Sequence, residues 1–383
     1  MHYVTPPIQV AATSESHNRH ISVAKGLAII LMVIGHSGPP HALWSWIYTF
    51  HMPLFFVASG YFFNYKYLDQ KFLFTKKKIK GLYWPLVKWG MAFFLLRNLM
   101  VALHIHNDPL SFIAVIKKVL LSFFIPMQER LLGGQWFVLL LLYTSLALLF
   151  TLWIVRQIRR MRRRSDHISS GALIACSVLC AVAGEIMLRG GFGYMYYGVW
   201  FSHLTFTGLY YMLLGLLYRN FETRFKSRIG YSLSLAIIII YAVIAITVDL
   251  PKAGLCAVYD SSHIGSLLFA TPITLAVLNA TSLISGKIAL FLDYAGQRTM
   301  TILMLHFTAF LLITYIVIVY EGLSLDHLQD FPTIAPPTAD GYPGLWVLYS
   351  IVGVSVPLAA DWAYNRIKTL LLSHRVIPST KAS

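Results

Sequence analysis

Ten stretches of the sequence are long and apolar enough to cross a lipid bilayer. A transmembrane helix needs about 20 mostly apolar residues, and a chain in lipid must satisfy its backbone hydrogen bonds internally. In the first stretch only ten residues separate Lys25 from His36, so we expect other helices to enclose it. The sequence therefore predicts an all-α polytopic membrane protein with about ten transmembrane helices. They lie at roughly 22–39, 45–64, 82–104, 136–155, 170–188, 200–218, 231–249, 263–285, 299–320 and 345–365.

The amino-acid composition agrees with a membrane protein. Hydrophobic residues make up 57% and charged residues 12% of the 383 residues, against about 45–50% and about 25% in soluble domains. These values exclude a disordered, collagen-like or disulfide-stapled protein. The net charge of +16 would indicate nucleic-acid binding in a soluble protein, so the placement of the basic residues decides between the two interpretations.

The basic residues alternate between the two sides of the predicted spans. With the N-terminus inside, 24 of the 31 lysines and arginines fall on the cytoplasmic side. This distribution predicts that both termini are cytoplasmic, and it removes nucleic acid as a partner. The arginine-rich segment 156–164 is expected to attract anionic membrane lipids. We expect a cytoplasmic tail over 1–21, one membrane domain over 22–366 and a second cytoplasmic tail over 367–383, without a removable signal peptide.

Two predicted outer segments are long. Residues 112–124 have apolar positions at helical spacing with Lys117 and Lys118 opposite, which predicts one interfacial or re-entrant helix. Residues 321–344 are acidic and rich in proline, which predicts an extended flap. Cys176 and Cys180 are expected to be buried free thiols, and Cys256 lies alone in a predicted outer loop.

Ionisable groups at membrane depth are costly and call for a partner or a function. Lys25 and His36 are eleven residues apart, so they share one helix face about 16 Å apart along the axis. His51 follows across a short hairpin, and His306 lies about two turns into a later span. A lone histidine such as His306 is equally explained as a hydrogen-bonding group between helices. Glu185 and Arg189 have the spacing of a structural ion pair.

The spacing of Lys25 and His36 is compatible with a long ligand that has an anionic head and a reactive tail. Acyl-coenzyme A has this form, with phosphates at one end and a thioester at the tip of a flexible arm. A basic group and an imidazole about 16 Å apart would match those two ends. Imidazoles at one depth also handle protons near neutral pH.

Five sequence elements in order carry a resemblance to a known family. The first is a basic residue, Lys25, placed eleven positions before His36; the second is the run from Phe50 to Phe62. The later elements are the basic stretch 76–80 before Pro85, the triplet 135–137, and the segment from Gly296 to His306. Together they resemble integral-membrane acyltransferase family 3. Lys25 stands where arginine is common in that family, and Leu303 where tyrosine is frequent.

The resemblance implies transfer of an acyl group from cytoplasmic acyl-CoA to a hydroxyl of an envelope glycan or lipid-linked sugar. It implies a location in the bacterial inner membrane, and within the family the chain is most similar to short sugar O-acetylases, including those that acetylate fucose. Acetyl-CoA is the expected donor, with succinyl as the alternative, and no metal is expected. His36 would act as general base, and His51 would orient the acceptor or stabilise the oxyanion. The expected donor-binding residues are Lys25, Lys77, Lys78 and Lys80, and the expected acceptor-binding residues are Gln135, Trp136 and His306.

Alternatives remain open from the sequence. Transfer would be direct or would pass through an acyl-histidine. A proton-coupled transporter of an anion or sugar would also use buried histidines and a basic mouth. Transporters often have two related halves with interrupted helices, and the hydropathy pattern has neither. A membrane scaffold that binds glycans without catalysis is disfavoured because His36 and His51 are both present.

Overall fold

The computed structural model describes residues 19–124, 129–163, 165–190, 203–248, 262–334 and 343–374. Within these residues the regular structure is helical, with no strand. The helices are α1 (Arg19–His36), α2 (His41–Tyr48), α3 (His51–Tyr61), α4 (Lys71–Lys78), α5 (Trp84–Leu95), α6 (Arg97–Ala102), α7 (Phe112–Leu121), α8 (Gln135–Met161), α9 (Ser170–Arg189), α10 (His203–Asn220), α11 (Glu222–Phe225), α12 (Arg228–Thr247), α13 (His263–Ala280), α14 (Gly286–Gln297), α15 (Thr299–Glu321) and α16 (Leu345–His374).

Seven of the described helices are long and apolar enough to cross a membrane: α1, α8, α9, α12, α13 with its 3₁₀ extension to Leu283, α15 and α16. This finding confirms a polytopic helical membrane protein. The predicted spans at 45–64 and 82–104 are each divided into two helices, and the predicted span at 200–218 is described from His203 onward as α10. The structure therefore supports seven candidate spans in the described residues, where the hydropathy pattern predicted about ten in the whole chain.

The two divided spans break at identifiable residues. Between α2 and α3, the Thr49 hydroxyl donates to the Trp46 carbonyl at 2.6 Å, which satisfies a terminal carbonyl of α2. Phe50 then leaves helical geometry at φ −138°. Between α5 and α6, Leu96 has φ −87° and ψ 0°, at the edge of the helical region. Hydrophobicity does not record such breaks, because the residues on both sides are equally apolar.

Other predicted features have mixed outcomes. The segment 112–124 contains a short helix, α7, as expected, with the Ser111 hydroxyl accepting from the Ala114 amide at its start. Arg189 Nε donates to Glu185 Oε1 at 2.6 Å, which confirms the ion pair. Cys176 and Cys180 are free, Cys180 being buried and Cys176 half-buried. Cys256 lies outside the described residues. The segment 321–344 was predicted as extended, but a 3₁₀ turn forms at Leu325–Gln329, and residues 335–342 lie outside the described part.

Helix α14 was not predicted as a separate element. It has 12 residues, which is shorter than a membrane span, so the hydropathy pattern passes over it. It packs along the first half of α1. The centre of the molecule is formed by α1, α3, α8, α10 and α15. The candidate site is lined mainly by residues of α1, α3, α8 and α15.

Candidate functional site

One face of α1 lines the site from end to end. Its cavity-lining residues are Lys25, Ile29, Met32 and His36, spaced four, three and four residues apart, which places them on one stripe of a helix. Because α1 runs unbroken from Arg19 to His36, the lysine and the histidine lie about 16 Å apart along its axis. The prediction that Lys25 and His36 share one face of a helix is confirmed.

The larger cavity, called here the lysine cavity, has a volume of about 380 Å³. Lys25, Lys77 and Lys78 contribute three cationic side chains to its lining. Lys77 Nζ donates to the Tyr67 hydroxyl at 2.9 Å and Lys78 Nζ donates to the Ser59 hydroxyl at 3.3 Å. These two hydroxyls hold two of the ammonium groups in the lining of the cavity.

A smaller cavity of about 50 Å³, called here the histidine cavity, lies against the other end of the α1 stripe. Its lining includes His36, His51 and Trp136, together with the apolar side chains of Met32 and Met52. The structure therefore brings together the two histidines that the sequence placed on neighbouring helices.

The two cavities share a wall, which we call the apolar neck. It consists of Ile29, Phe55, Phe137 and Leu303, which line both cavities. These residues come from α1, α3, α8 and α15, so four helices meet at this point. A ligand that reached from the lysines to the histidines would pass through the apolar neck.

His36 contacts a second imidazole that the sequence placed elsewhere. His36 Nδ1 lies 3.0 Å from His306 Nε2, and the two rings are nearly parallel with centroids 5.2 Å apart. His306 is fully buried, and its Nδ1–H donates to the Leu303 carbonyl at 2.9 Å, with the Ile302 carbonyl 3.2 Å away. Phe307 stacks on His36 at 5.0 Å between centroids. His306 was predicted to bind the acceptor, but it is absent from the lining of the histidine cavity.

His51, the first residue of α3, is held by the end of α2. Its Nδ1–H donates to the Ile47 carbonyl at 2.8 Å, and the ring of Tyr48 meets it edge-on at 4.7 Å between centroids. His51 is 1% exposed. Because a carbonyl oxygen only accepts hydrogen bonds, Nδ1 of His51 carries the hydrogen and Nε2 has the lone pair in the neutral ring.

Two further predicted residues are not in the lining of either cavity. Lys80 lies exposed on a single π-helical turn, Ile79–Tyr83. Gln135 is buried, with its Nε2 3.8 Å from the Met304 sulfur. Trp136, by contrast, lines the histidine cavity. Sequence reasoning missed Tyr67, Ser59 and Phe307. Ser59 and Phe307 stand in apolar runs, where nothing separates them from core packing. Tyr67 stands in a polar connection, where nothing in the sequence marks its hydroxyl as a partner of Lys77.

The segment 322–334 covers the His36 end of the site. Phe331 packs on Phe307 with centroids 4.6 Å apart, so it lies behind the ring that stacks on His36. Arg130 holds this segment by donating to the Gln329 carbonyl at 2.6 Å, and it also donates to the Ile105 carbonyl at 3.0 Å. The covering segment is thus tied to the connection between α7 and α8.

A buried carboxylate supports that connection. Glu129 contacts Arg97 at 3.2 Å and His106 at 3.0 Å, and it accepts from the Leu131 amide at 3.4 Å. Burial by itself raises the pKa of Glu129, but His106, Arg97 and the Leu131 amide together hold the pKa below its usual 4.5. The charged form of Glu129 is therefore the form that this contact network favours.

Fold and site together define a polytopic helical membrane protein with a cationic cavity, an apolar neck and a buried imidazole pair. The family model Acyl_transf_3, described as an acyltransferase domain, matches residues 18–362. The chain therefore belongs to acyltransferase family 3, and the match confirms the resemblance noted in the sequence. No match to this chain was found among curated proteins or among solved structures.

Proposed function

We propose that this membrane acyltransferase moves an acetyl group from acetyl-CoA to a hydroxyl of an envelope glycan or lipid-linked sugar. The observation that carries the proposal is the pair of adjacent cavities, which have four lining residues in common. Three lysines lie at one end and two histidines at the other, and the shared apolar neck lies between them. A donor with phosphates at one end and a thioester at the other matches that order.

The donor would bind with its phosphates at the lysine cavity. The volume of about 380 Å³ lies within the range of about 300–1,000 Å³ typical of ligand sites. Lys25, Lys77 and Lys78 would contact the phosphates as point charges, since an ammonium group lacks the bidentate fork of arginine. The distribution of basic residues along the chain supports placing this end at the cytoplasm, where acyl-CoA is available.

His36 would act as general base. Its Nε2 takes the proton of the acceptor hydroxyl while the hydroxyl oxygen attacks the thioester carbonyl carbon. The tetrahedral intermediate then breaks its carbon–sulfur bond, and the departing thiolate receives the proton from His36. Such a base contributes about 10²–10⁴-fold to the rate. We favour direct transfer over an acyl-histidine, because two imidazoles in one cavity provide a base and an orienting group for the hydroxyl together.

His51 would orient the acceptor. With its hydrogen on Nδ1, bonded to the Ile47 carbonyl, neutral His51 offers a lone pair at Nε2 and no donor. It is therefore suited to accept a hydrogen bond from a sugar hydroxyl and unsuited to donate to an oxyanion. Trp136 and Tyr48 line the same cavity, and they present aromatic groups against which the part of the acceptor that carries the reacting hydroxyl would pack.

The size of the histidine cavity favours acetyl. A volume of about 50 Å³ holds roughly three to five water-sized atoms, at about 10–15 Å³ each. An acetyl group, with about three non-hydrogen atoms, fits that space, whereas succinyl has about seven. The lining beside the histidines is apolar at Met32, Met52 and Leu303, so a succinyl carboxylate would be buried without a counter-charge.

The test is acetyl transfer by purified protein in lipid vesicles. The probe is radiolabelled acetyl-CoA with lipid-linked glycans extracted from bacterial inner membranes, and the readouts are label in the glycan and release of free CoA thiol. We expect wild-type transfer without an ion gradient and a loss of at least about 100-fold in His36→Gln. His167→Gln makes the same change at an exposed histidine outside the site and is the matched control.

Two outcomes would overturn the proposal. One is a folded His36→Gln protein that transfers acetyl at the wild-type rate. The other is accumulation of an anion or sugar inside vesicles without any acylation, which is the behaviour of a transporter.

A further inference from the structure

The contact between His36 and His306 fixes where the hydrogens of both rings lie. His306 Nδ1 faces two backbone carbonyl oxygens, of Leu303 at 2.9 Å and Ile302 at 3.2 Å. Because carbonyl oxygens only accept, Nδ1 of His306 carries the hydrogen. The described residues place no carboxylate within 4 Å of either ring, and His306 is fully buried among aromatic side chains. A neutral His306 therefore has a lone pair at Nε2.

That lone pair determines the tautomer of His36. His36 Nδ1 lies 3.0 Å from His306 Nε2, and two nitrogen lone pairs at this distance would repel each other. Nδ1 of His36 must therefore carry a hydrogen and donate it to His306. The basic nitrogen of His36 is therefore Nε2. His36 is one of the residues that line the histidine cavity.

We propose that His306 is a positioning residue, which accepts a hydrogen bond from His36 Nδ1 and so keeps the His36 Nε2 lone pair available to the acceptor hydroxyl. The chain of donors runs from His36 through His306 to the Leu303 carbonyl. When His36 takes a proton at Nε2, its Nδ1–H still has an acceptor. The catalytic effect of His306 rests on the proposed function. The tautomer of His36 can be measured without any reaction.

The geometry separates this role from substrate binding. His306 is 0% exposed and absent from the cavity lining, so it does not reach the acceptor or the donor. Phe307 stacks on His36 and packs against the His306 ring with centroids 3.9 Å apart, which restricts rotation of both imidazoles. In serine hydrolases a third residue holds the base histidine in the same way, and loss of the correct tautomer lowers kcat by about 10⁴.

The kinetic test compares three variants. His306→Leu removes the acceptor, and we expect kcat to fall by about 100-fold or more while the KM for acetyl-CoA changes less than about threefold. His306→Gln keeps a side-chain carbonyl that accepts from His36 Nδ1. We expect its kcat to be at least about tenfold higher than that of His306→Leu. His167→Gln again serves as the control. Equal kcat in the Leu and Gln variants, both well folded by gel filtration, would overturn the positioning role.

A second measurement is independent of catalysis. ¹⁵N NMR of histidine-labelled protein, with His36 assigned by comparison with His36→Gln, reports which ring nitrogen is protonated. We expect protonated Nδ1 and unprotonated Nε2 at His36 in the wild type, and a mixture of tautomers in His306→Leu. His36 protonated at Nε2 in the wild type would overturn the inference. If acetyl transfer is not found at all but the NMR result is as expected, the proposed function fails and the hydrogen-bond assignment stands.

Discussion

Gly26 and Gly296 face each other where α1 and α14 cross, and neither position has room for a side chain. A Cβ atom on Gly26 would lie 1.8 Å from the Leu292 carbonyl oxygen, and one on Gly296 would lie 1.9 Å from the Ser22 carbonyl oxygen. The two backbones are therefore in direct contact, as at other small-residue crossings of membrane helices. The contact matters for the site because α14 also carries Asp293, whose charge acts on Lys25.

Gly26→Ala is expected to destabilise the protein by about 2–3 kcal/mol, because the methyl group forces α1 and α14 apart. The measurement is thermal unfolding in detergent, followed by the fraction that remains monodisperse. Gly171→Ala is the matched control: position 171 is also helical, in α9, and an added Cβ there meets nothing within 4 Å. That control should change stability by less than about 1 kcal/mol, in the stabilising direction. Equal destabilisation of the two variants would contradict a close crossing.

Lys25→Gln is expected to weaken donor binding. A hydrogen bond to a charged group is worth about 1.5–3 kcal/mol, so the KM for acetyl-CoA should rise about 10–100-fold with little change in kcat. Higher ionic strength should raise the wild-type KM and reduce the difference in KM between the wild type and Lys25→Gln. Lys76→Gln removes an exposed ammonium that is not part of the lysine cavity and should leave KM within about twofold. An unchanged KM in Lys25→Gln would remove the phosphate role.

Met52→Ala is expected to widen the histidine cavity and shift acyl preference. Met52 is buried and lines that cavity beside His51, and one methylene in an apolar pocket is worth about 10–200-fold in discrimination. We expect the ratio of kcat/KM for propionyl-CoA over acetyl-CoA to rise about tenfold. Using the ratio cancels any loss of folded protein. Met161→Ala changes an exposed methionine at the end of α8; an equal shift there would show that the effect is not local.

Acid is expected to loosen the connection before α8. The pKa of Glu129 is lower in the folded protein than its usual 4.5, so its contacts stabilise the fold above that pH. The stabilisation is lost as pH falls below 4.5 and through the lowered folded-state pKa. The Leu131 amide donates to Glu129, and its protection from hydrogen exchange, measured against an unstructured amide at the same pH, should fall on acidification.

In Glu129→Gln the protection of this amide should already be low at neutral pH and should no longer change with pH. Glu321→Gln, an exposed carboxylate at the end of α15, should behave like the wild type. Protection at Leu131 that is the same at pH 7 and well below 4.5 would show that the ionisation of Glu129 does not hold this segment.

Local periodicity explains which parts of the site were predictable. The 3.6-residue repeat fixes that Lys25 and His36 share a face once α1 is continuous, and the structure agrees. Lys77, Lys78 and Lys80 look like one basic cluster in sequence, and a regular helix would put Lys80, three residues after Lys77, on nearly the same face as Lys77. The π-helical turn that begins at Ile79 departs from that regular helix. Lys77 and Lys78 reach the lysine cavity, whereas Lys80 lies exposed on the π-helical turn.

The periodicity of the sequence does not predict contacts between distant segments. His36 and His306 are 270 residues apart in the chain, and a single sequence offers no signal that pairs two particular histidines among 14. The same holds for the Gly26–Gly296 crossing, because α14 is too short to register as a span. The predicted span 45–64 divides at Thr49 and Phe50, where the Thr49 hydroxyl bonds the Trp46 carbonyl and Phe50 leaves helical geometry, and the apolar pattern does not mark this point.

The apolar neck has a consequence for the energy supply of the cell. In the orientation proposed above, water that filled the path from the lysine cavity to the histidine cavity would short-circuit the proton gradient across the membrane. Ile29, Phe55, Phe137 and Leu303 surround the junction with hydrocarbon, and such constrictions block ions by excluding water. A thin, mostly uncharged acyl-bearing arm would cross there, while protons and hydrated ions would not. We therefore expect vesicles containing this protein to hold a pH gradient as well as protein-free vesicles do.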